Sequence, residues 1–257
     1  MRTIVITGGT DGIGAALARH YLAAGDRVVV IGRSEAKARA MGSTEFIAAD
    51  LSLLADTRRV VDRLRDEHER IDALVLAASF VRQRRHVTPE GHEASWALFF
   101  LSKYLFVTRL ADPLRASGRP VIVNTAVPGA RADAIPFDDL ELADRFTFKR
   151  SNAQQRRANE LLGILATEEN PALSYVTWGP SRLVRTSFAG DVGSGMRLAA
   201  AVLAPVLGQR PEDAIVPITR LIDEPTPGRA AYRGARPRPL TGGSHDAARL
   251  ASAVARI

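Results

Sequence analysis

A glycine-rich segment near the N-terminus constrains the fold of this chain more than any other feature. Gly8, Gly12 and Gly14 lie between a β-branched run, Thr3–Thr7, and a segment with helical spacing, Ile13–Ala24. Glycine lets the backbone turn tightly and approach a ligand closely, and the following helix N-terminus offers free N–H groups and a positive dipole end to phosphates. This order of strand, turn and helix predicts a dinucleotide-binding βαβ unit.

The same alternation of strand and helix patterns continues along the chain and predicts the remaining elements. Further strands are expected at Arg27–Ile31, Phe46–Ala49, Ala73–Ala78, Pro120–Ala126 and Leu173–Trp178. Helices are expected at Ser34–Met41, Asp56–Glu69, Gly91–Ser117, Asn152–Glu168, Pro211–Ile222 and His245–Ile257. Repeated βαβ units predict an α/β fold, a Rossmann-type doubly wound parallel sheet with helices on both faces, formed by residues 1–257 as a single domain. The proline- and glycine-rich stretch Glu224–Gly243 is expected to be irregular.

Composition excludes several classes of protein. The chain has no cysteine, so disulfides, thiolate zinc sites and cysteine nucleophiles are excluded, and we expect no metal site. The formal net charge is +7, but the arginines are dispersed among acids, which indicates a solvated basic surface rather than a nucleic-acid interface. A preference for acidic ligands, including a phosphorylated cofactor, is the alternative. No apolar run has the roughly 20 residues of a membrane span, and no signal peptide is evident, so we expect a cytoplasmic protein.

The residue at the end of the second strand indicates which dinucleotide is preferred. Sheets of this type that bind NAD(H) usually carry an acid there, which bonds the ribose 2′-hydroxyl, but this chain has Gly32 followed by Arg33. A guanidinium suits a 2′-phosphate instead. The sequence therefore predicts NADP(H) as the cofactor.

Several motifs resemble those of short-chain dehydrogenases/reductases over nearly the whole chain. The spacing Thr-Gly-x-x-x-Gly-Ile-Gly from Thr7 to Gly14 is similar to the cofactor signature of that family, and Gly91-His92-Glu93 and Pro136–Leu140 are similar to its retinol dehydrogenase-like branch. The resemblance implies cofactor contacts at Gly8, Thr10, Asp11, Gly12, Ile13, Gly14, Arg33, Asp50, Leu51, Ala77, Ala78, Arg156 and Thr186. It also implies a homodimer or homotetramer formed through the helices Gly91–Ser117 and Asn152–Glu168.

The catalytic positions depart from the family pattern at every place. The tyrosine position falls on Asn152, the lysine position on Arg156, the serine position on Val127 and the position of the relay asparagine on Phe99. Tyr21, Tyr104, Tyr175 and Tyr232 are the tyrosines of the chain, and none has a lysine four residues later. Because Asn152 has no proton that titrates near neutral pH, carbonyl reduction by the Tyr-Lys mechanism is not expected.

Three functions remain open. The first is an atypical NADP(H)-dependent enzyme acting on a small organic substrate, anionic or conjugated, whose oxygen would be bonded by Asn152, Asn124 and Thr125 beside Arg156. The second is a non-redox enzyme, such as a cyclase, isomerase or lyase of specialised metabolism, with acid/base groups drawn from His86, Asp133, Asp138 and Lys149. The third is a catalytically inactive protein that binds NADP(H) as a sensor or subunit.

Two further features are compatible with either a functional or a structural role. Arg82, Arg84 and Arg85 follow the fourth strand, and together with Arg131 they either receive an anionic substrate or form a basic surface loop. Trp178 either lines the substrate pocket or packs beneath it.

Overall fold

The computed structural model describes residues 1–42, 45–185, 190–191 and 208–255. Its strands are β1 (Thr3–Thr7), β2 (Arg27–Gly32), β3 (Glu45–Ala48), β4 (Ala73–Leu76), β5 (Val81–Arg82), β6 (Val121–Asn124), β7 (Ser174–Gly179), β8 (Gly190–Asp191), β9 (Gly228–Arg233) and β10 (Arg236–Pro237). Its helices are α1 (Gly12–Ala23), α2 (Glu35–Arg39), α3 (Leu54–Glu67), α4 (Ala94–Trp96), a π-helical turn (Ala97–Leu101), α5 (Ser102–Arg109), α6 (Ala111–Arg115), α7 (Phe148–Glu169), α8 (Pro211–Asp223) and α9 (Ser244–Val254).

The main sheet has eight strands in the order β10-β9-β7-β6-β4-β1-β2-β3. All neighbouring pairs are parallel except β9 and β10. The order reverses between β1 and β4, which is the topological switch point where ligands bind in doubly wound sheets. The central strands β4 and β6 are buried at every residue, as expected for strands covered on both faces. The predicted fold class is confirmed.

Helices cover both faces of the sheet and create two separate apolar cores. On one face, Leu17 of α1 and Ile218 of α8 pack against the strands. On the other face lie side chains of α3, α5, α7 and α9, including Val60, Phe106 and Leu161. No helix among the described residues is long and apolar enough to cross a membrane.

The segment predicted as one long helix, Gly91–Ser117, is divided in the structure. The helix begins at Ala94 because the Glu93 carboxylate accepts hydrogen bonds from the first free N–H groups, and it passes through a π-helical turn before α5. Pro113, which has no N–H, lies in α6 after the break at Leu110. Trp96 and Phe100 stack with ring centroids 4.5 Å apart inside the core. The apolar side chains of this segment therefore pack mostly within the chain's own core.

The expectation that Glu224–Gly243 is irregular is wrong. The stretch contains β9, which pairs in parallel with all of β7 from Ser174↔Gly228 to Gly179↔Arg233 and extends the sheet. Its prolines flank the strand or lie in the short edge strand β10, where a missing N–H costs no internal ladder bond.

Candidate functional site

The glycine-rich turn lies at the carboxyl edge of the sheet and has room for no side chain at its two tightest points. Gly8 has a φ of +67°, and a Cβ there would lie 2.6 Å from the Ala78 Cα. A Cβ at Gly14 would overlap the Gly8 carbonyl oxygen. Glycine is thus needed at both positions for close packing of the turn, and the half-buried backbone at Gly12 lies at the N-terminus of α1, where a pyrophosphate binds in folds of this type.

The Thr7 hydroxyl joins this turn to the end of β4. Its Oγ1 accepts hydrogen bonds from the Ala77 N–H at 3.1 Å and the Ala78 N–H at 3.3 Å. Gly8, Ala77 and Ala78, three predicted cofactor contacts, are therefore brought together on one wall. Ser79, which stands where the family has glycine, is exposed beyond them.

Asp11 has a structural role at the start of α1. Its Oδ1 accepts the Gly12 N–H at 2.7 Å, and its Oδ2 pairs with the Lys37 ammonium. The ammonium offsets a negative charge that would otherwise repel a phosphate at this helix end. Thr10 lies against Gly32, where an added Cβ would be 3.0 Å from the Thr10 Oγ1, so the turn also contacts the end of β2.

Arg33 emerges at the end of β2, as the sequence predicts, and its guanidinium lies over an aromatic ring. The Arg33 Cζ is 4.8 Å from the centroid of Phe80, and the Arg82 Cζ is 4.6 Å from the same centroid. Such cation–π contacts stabilise an extended arginine next to a ring face. Phe80 is not identified by the sequence analysis, since nothing in its neighbourhood forms a recognised motif.

Asp50 and Leu51 hold the turn that leads into α3. The Asp50 Oδ1 accepts hydrogen bonds from the Ser52 backbone at 3.0 Å and the Ser52 hydroxyl at 2.7 Å. The Asp50 N–H is in turn bound by Asp56. Leu51 is buried. The carboxylate of Asp50 also acts on Arg82, whose pKa is lowered chiefly by burial and partly restored by Asp50.

Arg156, at the family's lysine position, is committed to the loop after β6. Its Nε donates to the Val127 carbonyl and its Nη2 to the Pro128 carbonyl, both at 2.7 Å. Burial lowers the pKa of this guanidinium. Arg156 and Val127 are therefore adjacent, as the family alignment implies, but two of the three guanidinium nitrogens of Arg156 bind the protein's own backbone. Asn152 lies one turn earlier on α7 and is exposed.

The expected role of Asn124 as a substrate contact is not supported by its position. Asn124 is fully buried, and its Nδ2 donates to the Asn159 Oδ1 at 2.6 Å and to the Tyr175 hydroxyl at 2.8 Å. Its Oδ1 accepts from Lys103 at 2.8 Å and from the Ala126 N–H at 3.1 Å. Every hydrogen-bonding atom of the amide is engaged inside the core, so no atom is left for a substrate oxygen.

Thr125, and the Phe99 and Val127 positions of the family's asparagine and serine, also have structural contacts. The Thr125 hydroxyl donates to the Leu76 carbonyl at 3.1 Å, which leaves it only as an acceptor for a ligand. The Phe99 carbonyl, within the π-helical turn, accepts from the Asn159 Nδ2 at 2.8 Å. The Val127 side chain packs against Gly179. The family's proton-donating positions are thus occupied by an amide, a guanidinium and apolar side chains.

The acid/base candidates of the non-redox hypothesis are dispersed on the surface. His86, Asp133, Asp138 and Lys149 are exposed, and Asp133 forms a surface ion pair with Arg131. That ion pair also occupies Arg131, the candidate receptor for an anionic substrate.

Buried polar groups in the core form a network that sequence reasoning missed. Lys103, Asn124, Asn159 and Tyr175 are all buried and joined by hydrogen bonds. Burial lowers the pKa of Lys103 to about 7. The sequence signal for this network is Lys103 itself, a lysine within an apolar helix, three residues after Phe99-Phe100.

Other predicted positions lie near the end of β7. Trp178 is fully buried and donates to the Gly234 carbonyl at 3.0 Å, so it packs beneath the site rather than lining it. Thr186 lies outside the described residues.

Among the described residues, Glu45, Glu67 and His68 lie close enough together to hold a metal ion. Arg63 already pairs with both carboxylates, which offsets the negative charge that a metal ion would need.

Comparisons with known proteins agree with this geometry. Residues 2–135 match the family model described as short chain dehydrogenase. Human polyprenol dehydrogenase is 25% identical over 231 residues, covering 82% of this chain and 69% of that protein. A Streptomyces protein named putative daunorubicin C-13 ketoreductase is 29% identical over 205 residues, covering 75% of this chain and 70% of that protein. Human retinol dehydrogenase 13 is 28% identical over 168 residues, covering 61% of this chain and 51% of that protein, which confirms the resemblance to that branch.

Solved structures with the same fold are more distant in sequence. A short-chain dehydrogenase from Sphingobium yanoikuyae in complex with NADPH has a TM-score of 0.63 at 22% identity, covering 87% of this chain and 84% of that chain. A 4-hydroxyisoleucine dehydrogenase complexed with NADH has a TM-score of 0.67 at 16% identity, covering 91% of this chain and 98% of that chain. Both forms of the dinucleotide therefore occur on this fold.

Proposed function

Because the chain belongs to the short-chain dehydrogenase family, we propose that it binds NADP(H) and acts as an oxidoreductase on a small organic substrate without the Tyr-Lys mechanism. The observation that carries the proposal is the glycine turn from Gly8 to Gly14, which lies at the carboxyl edge of the sheet and at the N-terminus of α1, where such folds hold a pyrophosphate. We further propose that residues 1–257 act as one domain and assemble as a homodimer or homotetramer.

The described residues fit such a cofactor. The turn around Gly8 and Gly12 and the N-terminus of α1 would hold the pyrophosphate. Asp50 and Leu51 lie at the end of β3, on the adenine side of the switch point. Arg33 favours NADP(H) over NAD(H), because a guanidinium binds a phosphate through parallel charge-assisted hydrogen bonds. Relatives of known structure hold either cofactor, so the preference rests on Arg33 itself.

The bound cofactor would supply or accept a hydride, and the chain's own residues limit what can receive it. General acid catalysis is typically worth about 10²–10⁴ in rate, and neither Asn152 nor Val127 can provide it. A quinone or a conjugated enone needs less help, because the anion produced by hydride addition is already delocalised. Of the predicted substrate contacts, the exposed Asn152 amide can donate to a substrate carbonyl, whereas the Thr125 oxygen can only accept a hydrogen bond.

A second candidate is a binding protein without catalysis. It is favoured by the structural use of Arg156, whose Nε and Nη2 are bound to the Val127 and Pro128 carbonyls rather than directed to a ligand. The non-redox enzyme has weaker support, since its candidate acid/base groups are exposed and dispersed.

Consumption of NADPH with a panel of acceptors tests the proposal. We expect oxidation of NADPH with a 1,4-quinone or a conjugated enone, little with simple ketones, and a lower rate in Asn152→Ala than in the neighbouring surface control Lys149→Ala. If NADPH binds but no acceptor oxidises it, the binding protein is favoured. Conversion of a substrate without NADPH oxidation would support the non-redox enzyme and refute the proposal.

A further inference from the structure

Two arginines from different strands contact the same aromatic ring next to the predicted adenosine site. Arg33 follows β2, and Arg82 belongs to β5, yet their guanidinium carbons lie 4.8 and 4.6 Å from the Phe80 ring centroid. Arg84 is two residues further along the same loop and is exposed. Phe80 therefore contacts two positively charged side chains that are far apart in the sequence.

This pair of charges has no counter-ion among the described residues. Neither Arg33 nor Arg82 forms a salt bridge in that part of the chain, although the carboxylates of Asp50, Glu93 and Asp191 act on Arg82 from a greater distance. The Nη1 of Arg82 is buried and has no hydrogen-bond partner within the described ranges of the chain. A buried guanidinium N–H without an acceptor is costly, and a nearby like charge adds to that cost.

The backbone around Arg82 is held by a second segment of the chain. β5 pairs in parallel with β8, with Val81 opposite Gly190 and Arg82 opposite Asp191. The Gln83 N–H also donates to the Asp191 carbonyl at 3.3 Å. The arginine is thus held in place by main-chain pairing and does not depend on its side chain for its location.

We propose that Arg82 is a second specificity-determining residue, and that Arg33 and Arg82 together bind the 2′-phosphate of NADP(H) with Phe80 as their common support. This inference rests on the proposed function. A phosphate monoester carries close to two negative charges and several acceptor oxygens, so it would neutralise both guanidinium groups and supply the missing acceptor for the Arg82 Nη1. The shared ring would reduce the rotamer entropy lost on binding, because both side chains are already ordered.

Two small nucleotides isolate the phosphate from the rest of the cofactor. We would titrate wild type, Arg82→Gln, Arg33→Gln and the control Arg220→Gln, an exposed arginine of α8, with adenosine 2′,5′-bisphosphate and adenosine 5′-monophosphate by calorimetry. Loss of a charge-assisted hydrogen bond should weaken the bisphosphate by about tenfold or more in Arg82→Gln. Binding of the monophosphate should stay within about twofold of wild type, as should binding of both nucleotides in Arg220→Gln.

The outcomes separate this inference from the proposed function. If wild type binds neither nucleotide, both fail. If Arg33→Gln loses bisphosphate affinity while Arg82→Gln binds as wild type does, only the role of Arg82 is overturned, and the same conclusion follows if Arg82→Gln loses both nucleotides equally. Should Arg82→Gln fail to fold, Arg82→Lys keeps the charge without the forked donors, and a selective loss of bisphosphate affinity is again required.

Discussion

The Lys103 ammonium nitrogen lies 2.8 Å from the Asn124 Oδ1 in the core, where β6 ends. Lys103 is 3% exposed, and the amide that accepts its hydrogen bond is neutral and also binds Tyr175 and Asn159. Lysine, tyrosine and asparagine, three residue types of the family's catalytic set, thus occur together in this chain. They bind one another in the interior instead of facing a ligand.

Stability should depend on pH through Lys103. Burial lowers its pKa to about 7, whereas the unfolded chain holds this proton up to a pKa of about 10.4. Between these values the unfolded state binds more protons, so the free energy of unfolding should rise with pH, by at most about 1.4 kcal/mol per pH unit. Urea unfolding of wild type and Lys103→Met from pH 7 to 10 should show a difference that grows in favour of wild type. The surface variant Lys149→Met is the control, and its stability difference from wild type should not change with pH. If the difference for Lys103→Met is equally independent of pH, the proposed titration of Lys103 is refuted.

Gly8→Ala should destabilise the fold more than an equivalent change at an open turn. Gly8 and Gly25 both have positive φ, at +67° and +82°, but only Gly8 has backbone atoms within 3 Å of the added Cβ, while Gly25 has nothing within 4 Å. Overpacking typically costs about 1–3 kcal/mol beyond the conformational penalty that both variants share. Urea unfolding should place Gly8→Ala below Gly25→Ala by that margin. Equal stabilities would mean that the close approach to Ala78 is absent.

Arg156→Lys should weaken the loop after β6, although it restores the family's residue type. A lysine cannot donate to the Val127 and Pro128 carbonyls in the forked geometry that Arg156 uses at 2.7 Å. The loss of one such bond is expected to cost about 1.5–3 kcal/mol, measured by thermal or urea unfolding. Arg119→Lys is the control, because Arg119 is exposed and makes one long bond of 3.4 Å to the Pro225 carbonyl. If Arg119→Lys lowers the stability as much as Arg156→Lys does, the hydrogen bonds of Arg156 do not hold the loop.

The sequence predicts the strands and the cofactor turn well because their signals are local. The glycine spacing, the buried Val and Ile runs and Arg33 all lie within single βαβ units, where periodicity and turn chemistry determine the conformation. The strand β9 escapes prediction for the opposite reason. Only Ala231 in it is buried, and its conformation follows from pairing with β7, which is distant in the sequence.

The polar contacts of the site are less predictable because they are made between distant segments. Asn124 matches a family position, but its partners Lys103, Asn159 and Tyr175 come from three other elements. Phe80 belongs to no recognised motif, and its contacts with Arg33 and Arg82 form only when the ends of β2 and β5 come together in the fold. The family alignment places Arg156 beside Val127 correctly, yet only the structure shows that its hydrogen bonds go to the main chain.

Calorimetric titration of the purified protein with NADPH, NADP+ and NADH tests the account most directly. We predict micromolar binding of NADPH and binding of NADH weaker by about tenfold or more, since the charge-assisted bonds to the 2′-phosphate exist only with the former. Arg33→Gln should remove most of the difference between the two affinities and leave the affinity for NADH unchanged. Equal affinity for NADPH and NADH would contradict the role of Arg33, and no binding of any nucleotide would contradict the proposal that this fold holds a dinucleotide.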